Sequence, residues 1–533
     1  MKQYQKLNQA LKLSFLRGNL DFCSSSNNVK EIQQKKLFSI LQRNEDSVYG
    51  KKYNFKKIKT IKDFQTFVPL TIYEDYKDYI DRIINGEQNI LTNEPVIILE
   101  PTSGSVTPTK LIPYTKSLFQ EFRNGISAWF YDLFENKPGI SNGSFYWSIT
   151  PATSQNIRTK NGILIGFGDD RSYFTCEQQE IISKLSSVPF DVAKIHNIEE
   201  FKDLTLITLL NDKNLAFISI WNPTFLLLLL RPLLNNPDLV IRKIKDKTRS
   251  KELENIFFDL QKKNYLKRIW TKLSLISMWV DGNAAMSIRE VEELFPEVEI
   301  QGKGLIATEG FISFPLVERE GAALSINSHF FEFKERDKKN NLKLAHELEL
   351  GKQYEVILTN SGGLYRYNLQ DIVKVVGFKN QCPLLRFVGR SSKVSDLFGE
   401  KLNESNVEQV IKTVFKQYLL NPSFYMIAPE YIKDQNSYSY TLFLELGKHQ
   451  NTILVKVAKV LDERLQENYH YKYCRKLGQL GPIKIFLIDI NNIKRASDIY
   501  LEKTKGKQIG SVKSTVLCNK TGWLRNFKGD FVI

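Results

Sequence analysis

An α/β architecture is expected for this chain: a large, multi-subdomain N-terminal α/β domain followed by a smaller α+β C-terminal lid domain. Short Val/Ile/Leu runs alternate with helical periodicity along its whole length, which is the pattern of strands interleaved with helices. Hydrophobic residues make up 42% and charged residues 25% of the 533, a globular composition long enough to bury its cores without disulfide staples. No repeat of ~20–50 residues is visible, which excludes solenoids and propellers.

The N-terminus, MKQYQKLNQALKLSF, lacks the continuous apolar stretch of a secretory signal. Val96, Ile97, Ile98 and Leu99 form an unbroken apolar run of the kind found in a strand covered on both faces. After a polar loop, Ser117 and Gln120 make a capping box, and Leu118, Phe122, Ile126 and Trp129 follow at three- and four-residue spacing. The order expected there is strand, loop, helix. Phe225 to Leu230 is apolar but bounded by Pro223 and Pro232, far short of the ~20 residues a membrane span needs, so a buried segment is expected. Further strands are expected from Val298 to Ile306, from Tyr354 to Leu358 and over 384–388. The last runs into Gly389-Arg390-Ser391-Ser392, where the domain boundary is placed: 1–390 for the large domain and 391–533 for the small one. Beyond it, Val407, Val410, Ile411, Val414, Phe415 and Tyr418 mark one face of an amphipathic helix. Strands at Thr441–Leu446 and Ile483–Ile488 then bracket a helix carrying Leu454, Val457, Ala458, Leu461 and Leu465.

Five cysteines are scattered, the nearest two (Cys474 and Cys518) being 44 positions apart, so no CxxC zinc or redox site exists. Such a set suits a reducing compartment, and a soluble cytoplasmic protein is expected. The net charge of +16, from 75 basic and 59 acidic side chains, reads either as a solvated mixed-sign surface or as a bias toward anionic ligands. His346-Glu347 begins like a zinc-protease motif, but Leu350 stands where the second histidine is needed. Gly139-Ile140-Ser141-Asn142-Gly143 matches a nucleophile elbow by letters, yet it follows a turn and precedes a strand, the reverse of what that motif requires.

The informative segment is Glu100-Pro101-Thr102-Ser103-Gly104-Ser105-Val106-Thr107-Pro108-Thr109-Lys110. Clustered hydroxyls and free backbone N–H groups satisfy phosphate oxygens, and a lysine adds a mobile positive charge. Taken alone, it reads equally as an ordinary Ser/Thr-rich loop.

That segment resembles the phosphate loop of the adenylate-forming superfamily. With the Glu-Pro before it and Leu111-Ile112-Pro113-Tyr114-Thr115 after it, it is similar to the acyl acid–amido synthetases, the plant auxin-responsive GH-three type and their bacterial relatives. Ala307-Thr308-Glu309-Gly310 resembles the family's adenine and metal motif. Tyr365-Arg366-Tyr367 followed by Asp371 resembles its ribose motif, Phe387-Val388-Gly389-Arg390 with Gly399-Glu400-Lys401-Leu402 its hinge, and Gly510-Ser511-Val512-Lys513 the segment with its catalytic lysine. The resemblance covers roughly residues 90 to 520. It implies ATP and Mg²⁺ as cofactors and adenylation of a small carboxylic acid, followed by transfer of the acyl group to an amine, presumed by the family to be an amino acid. Thr102, Ser103, Gly104, Ser105, Thr107 and Lys110 would hold the triphosphate, with Thr308, Tyr365, Asp371 and Arg390 on the nucleotide and Glu309 on Mg²⁺. Lys110 and Lys513 would be the catalytic cations. The loop departs from the family at Val106, which cannot donate to phosphate, and at Thr107, where glycine is usual. A monomer acting on small molecules, with neither membrane nor nucleic acid as partner, is the expectation. The alternatives are an acyl-CoA ligase with a thiol acceptor and a non-enzymatic nucleic-acid binder that uses the basic tail, residues 494–533, where nine basic side chains stand against Asp498, Glu502 and Asp530.

Overall fold

The computed structural model describes residues 2–101, 110–147, 157–167, 170–258, 265–281, 285–335, 342–390, 394–447, 451–489, 496, 499–500 and 516–532. The chain forms two compact units, one built from Met1–Thr102 and Leu111–Ser391 and the other from Ser103–Lys110 and Ser392–Ile533.

A four-stranded parallel sheet in the first unit holds Ser144–Trp147, Leu215–Ser219, Leu275–Met278 and Glu299–Gly302, side by side in that order. Leu215–Ser219 and Leu275–Met278 are buried at every position, because helices cover both faces of a parallel sheet. One of those helices is Pro223–Asn235, started by the Asn222 side chain, which accepts the Thr224 N–H. All six residues from Phe225 to Leu230 are buried in it, so the apolar run is a core helix. No helix among the described residues is long and apolar enough to cross a membrane.

Beside it, a seven-stranded antiparallel sheet runs in the order Ser313–Pro315, Ala322–Leu324, Cys382–Arg390, Tyr367–Lys379, Gln353–Thr359, Phe330–Glu335, Leu342–Leu344. The strands expected from Tyr354 and over 384–388 are the cores of Gln353–Thr359 and Cys382–Arg390. A third, small sheet pairs Ile98–Pro101 with Leu111–Tyr114 in antiparallel register, Pro101 opposite Leu111, and with Leu164–Ile165 in parallel.

Four local expectations are corrected. The strand expected at Val96 starts at Ile98, where pairing with Tyr114 begins. A second strand, Leu111–Tyr114, therefore separates the Ser/Thr-rich segment from the helix, which is Lys116–Asn136. That helix is capped by Thr115, whose hydroxyl accepts the Leu118 N–H at 3.2 Å, and not by Ser117, whose hydroxyl donates to Glu94 at 2.6 Å. The strand expected from Val298 to Ile306 is broken after Gly302. Gly304 sits at φ +78°, and a Cβ there would lie 2.6 Å from the Ser313 carbonyl oxygen.

In the second unit, Phe424–Ile432, Ser437–Glu445, Leu480–Ile488 and Gly529–Phe531 form a four-stranded sheet whose central pair is parallel. Helices Glu404–Gln417 and Asn451–Leu465 supply Val407, Ile411, Val414, Leu454, Val457 and Leu461 to its core, as the amphipathic spacing predicts.

Candidate functional site

Thr308 and Glu309 form the turn of a tight hairpin between Ile306–Ala307 and Gly310–Phe311, with Ala307 paired to Gly310. Both main-chain carbonyls of the turn are held from outside. The Tyr114 hydroxyl donates to the Thr308 carbonyl at 2.6 Å, and the Asn360 amide donates to the Glu309 carbonyl at 2.7 Å. Asn360 is itself fixed, its side-chain oxygen accepting the N–H groups of Gly362 and Leu364 at 2.9 and 3.1 Å. The returning strand is pinned from below by buried His329, whose Nε2 accepts the Phe311 N–H at 2.9 Å. That approach requires Gly310, since a Cβ there would sit 2.9 Å from the same nitrogen. With Nε2 accepting, the tautomer assigned to His329 is protonated on Nδ1, which lies 3.0 Å from the Glu121 carboxylate. Burial works against ionisation of Glu121, but the His329 and Ser361 hydrogen bonds and the Lys36 charge hold its carboxyl below the ordinary range. The result is a rigid turn with a half-buried carboxylate, and the Tyr367 hydroxyl lies 3.4 Å from it.

Tyr367 and Asp371 share the strand Tyr367–Lys379. Its pairing with Gln353–Thr359 slips between Ile357 and Glu355, and Gln370 adopts φ +62° at the irregularity. Bulges of this kind re-aim side chains next to binding sites. Asp371 is buried, and on the other edge of the strand it lies in register with Arg390. Antiparallel pairing thus brings together two of the residues that the motifs single out.

Tyr365 is placed elsewhere, and its assignment to the nucleotide is corrected. It is fully buried, its hydroxyl donates to the Leu91 carbonyl at 2.8 Å, and its ring stacks on Tyr49 at 4.9 Å. A phenol so occupied packs the core and has nothing left for a ligand. Arg366 between the two tyrosines has φ +51°, which breaks the alternation that would have put Tyr365 and Tyr367 on one face. Lys110 is half-buried at the start of the second small-sheet strand. Thr102, Ser103, Gly104, Ser105, Thr107 and Lys513 lie outside the described residues.

Three residues to which motif reading gave no role complete the site. Tyr114 flanks the Ser/Thr-rich segment, and its hydroxyl lies 3.3 Å from that of Tyr173; burial drives both phenols upward in pKa. Glu100 precedes the segment and accepts the Phe167 N–H at 2.7 Å. Burial pushes its carboxyl up to about 8 against the pull of that hydrogen bond, and the Asp170 charge pushes the same way. In the sequence Glu100 and Tyr114 flank the hydroxyl cluster, whereas Tyr173 carries no such signal. Because the folded state favours protonated Glu100, its contribution to stability is complete below the ordinary carboxyl pKa and is lost as pH rises through about 8. Glu100→Gln is therefore expected to match the wild type in thermal unfolding near pH 4.5 and to exceed it above pH 8 by a few kcal/mol. Equal stability at both pH values would contradict this.

Among the described residues no cluster of three potential metal-ligating side chains exists. A single carboxylate such as Glu309 suits Mg²⁺, which commonly takes one or two carboxylates and completes its shell with phosphate oxygens and water.

The chain matches three family models: the GH3 family N-terminal domain over residues 21–300, the central domain over 322–390 and the C-terminal domain over 405–521. Similar curated proteins include the indole-3-acetic acid-amido synthetase GH3.17 of Arabidopsis thaliana, 24% identical over 93% of this chain and 92% of that protein. The 4-substituted benzoates-glutamate ligase GH3.12 of the same plant is 24% identical over 93% and 94%. Among solved structures, the AtGH3.15 acyl acid amido synthetase in complex with 2,4-DB superposes with a TM-score of 0.62 at 21% identity, covering 94% of each chain. A 2-hydroxyisobutyryl-CoA ligase superposes with a TM-score of 0.55 at 12% identity over 93% of this chain and 90% of that one, a likeness of fold. Matched by all three domain models in chain order, this protein belongs to the GH3 family.

Proposed function

We propose that this chain is an ATP-dependent acyl acid–amido synthetase. A carboxylate oxygen of a small organic acid attacks the α-phosphorus of ATP and displaces pyrophosphate. The amine of an amino acid then attacks the acyl carbon and displaces AMP, leaving an amide. Names among the similar curated proteins pair a carboxylic acid with an amino acid, which supports this acceptor. The observation that carries the reading is the Thr308–Glu309 turn, clamped by Tyr114 and Asn360 and facing Tyr367, in a chain that matches the family nearly end to end.

The first step brings two anions together, so its barrier falls with fixed positive charge and hydrogen-bond donors aimed at the phosphates. In this reading Thr102, Ser103, Gly104, Ser105, Thr107 and Lys110 cradle the triphosphate. Asp371 accepts hydrogen bonds from the ribose hydroxyls, with Arg390 opposite it, and Thr308 adjoins the base. Glu309 holds Mg²⁺, which when bound neutralises phosphate charge. Residues 391–533 act as a lid that carries Lys513. The protein works on small molecules as a monomer in the cytoplasm, without nucleic acid. Its free cysteines support the compartment.

Acid-dependent exchange of labelled pyrophosphate into ATP, screened over a panel of acids, tests the first step. Mass spectrometry of products formed with amino acids and coenzyme A together tests the second, and a dominant thioester would move the protein to the ligase reading. Within that assay, Asp371→Ala is expected to raise KM for ATP roughly tenfold or more, and KM for the acid far less, since hydrogen bonds to a charged acceptor contribute about 1.5–3 kcal/mol each. An unchanged KM for ATP would remove Asp371 from the ribose.

A further inference from the structure

Among the described residues, Lys303 is a buried cation without a carboxylate partner. It is 3% exposed, and its ammonium donates to the Ser219 hydroxyl at 2.6 Å. It lies 5.2 Å from the ring centroids of both Trp129 and Trp221. No Asp or Glu among the described residues comes within ion-pair distance. Asp170, whose carboxylate accepts the Trp221 indole N–H at 3.1 Å, acts on it electrostatically. Burial pulls the ammonium down to about 7, with Asp170 opposing. Holding a lysine this way costs stability, and packing alone would be better served by methionine or leucine.

Its position says what it can meet. Ser219 ends one parallel strand and Lys303 directly follows another, so both stand at the carboxyl edge of the parallel sheet. Ligands of open α/β sheets bind at that edge. Six residues on from Lys303 comes Glu309, a separation of at most ~20 Å along even a fully extended chain. From the other side, Asp170 is within electrostatic range of both Lys303 and Glu100, which precedes the phosphate segment. Lys303 therefore stands on the ligand-binding edge of the parallel sheet, within one short segment of Glu309 and on the side where Asp170 acts on it and on Glu100.

We propose that Lys303 is the specificity-determining anchor of the acyl site, and that it selects acids carrying a second carboxylate remote from the reacting one. This inference rests on the synthetase reading. A second carboxylate gives the ammonium an ion-pair partner beside Trp221 and the buried Trp129, where Lys303 itself is shielded from water. A monocarboxylic acid of the same shape leaves the ammonium unpaired or forces it to shed its proton.

The test uses matched acids, adipate against hexanoate and terephthalate against 4-methylbenzoate, with wild type and Lys303→Met. Pyrophosphate exchange is expected to favour the diacid of at least one pair about tenfold or more in kcat/KM, and Lys303→Met to erase most of that preference without lowering the melting temperature. A wild type that favours neither diacid, or a preference that survives in Lys303→Met, overturns the proposal. If no acid supports exchange, calorimetric binding of the same acids separates the two ideas. Diacid binding lost in Lys303→Met would keep the anchor and reject the synthetase reading. Equal binding by both proteins, or by neither, rejects the anchor.

Discussion

Pyrophosphate exchange is expected to fall ~10²–10³-fold when Lys513 is replaced by alanine, the usual cost of removing one preorganised donor aimed at developing charge. Three residues further on, the chain is fixed to the second unit: the Val516 and Leu517 N–H groups donate to the Glu404 carboxylate at 2.8 and 3.4 Å. The Ile427 N–H donates to the Val516 carbonyl at 2.7 Å, and the Cys518 N–H donates to the Ile427 carbonyl at 2.9 Å. In the proposed reaction Lys513 meets the α-phosphate. Its charge matters most while negative charge concentrates on the α-phosphate, and much less when an amine attacks a finished adenylate. Lys513→Ala should therefore nearly abolish exchange yet leave amide formation from chemically supplied acyl-adenylate largely intact. Should Lys505→Ala or Lys507→Ala cripple exchange while Lys513→Ala does not, the lysine has been assigned in the wrong register.

Arg366→Ala is expected to cost ~3–5 kcal/mol of folding stability, the penalty for breaking a buried ion pair from one side. Arg366 and Glu332 are 3% and 1% exposed. The guanidinium meets the carboxylate in a two-pronged contact, Nε to Oε2 at 2.9 Å and Nη2 to Oε1 at 3.0 Å. Its remaining nitrogen donates to the carbonyls of Gln65 and Val68 at 2.8 and 2.6 Å. Alanine would strand one charge and two carbonyls in the core. The midpoint of urea unfolding should drop accordingly, and adding Glu332→Ala should recover part of the loss, since two residues in direct contact are not additive. A shift equivalent to less than about 1 kcal/mol, the level of an exposed pair, would contradict the buried pairing.

How far the sequence could be read depended on what each element's pattern owed to distant residues. Gln353–Thr359 and the helices of the second unit were legible because a strand or helix with one local period announces itself. Leu111–Tyr114 was not, since Pro113 disguises a strand that is short and paired on one edge only by Ile98–Pro101. Tyr367–Lys379, which carries Asp371, hides its period behind the irregularity at Gln370. At the site, motif spacing pointed to Glu309, Asp371 and Arg390. It could not tell Tyr365 from Tyr367, because that depends on one positive φ at Arg366. Lys303 was invisible: a lone lysine after a short strand reads as surface, and only Trp129 and Trp221, far away in sequence, bury it.

The register of Pro101 opposite Leu111 makes the segment between them an exchangeable cassette. Directly paired residues in an antiparallel ladder stand ~5 Å apart whatever joins them. The two strands already meet the cost of bringing the ends together, and a doubling of loop length adds only about 0.6 kcal/mol. The unusual Val106 and Thr107 can therefore be exchanged for a relative's residues, or the whole segment transplanted, without asking the strands at its base to move. If the segment binds phosphate as proposed, that affinity is tunable separately from the fold.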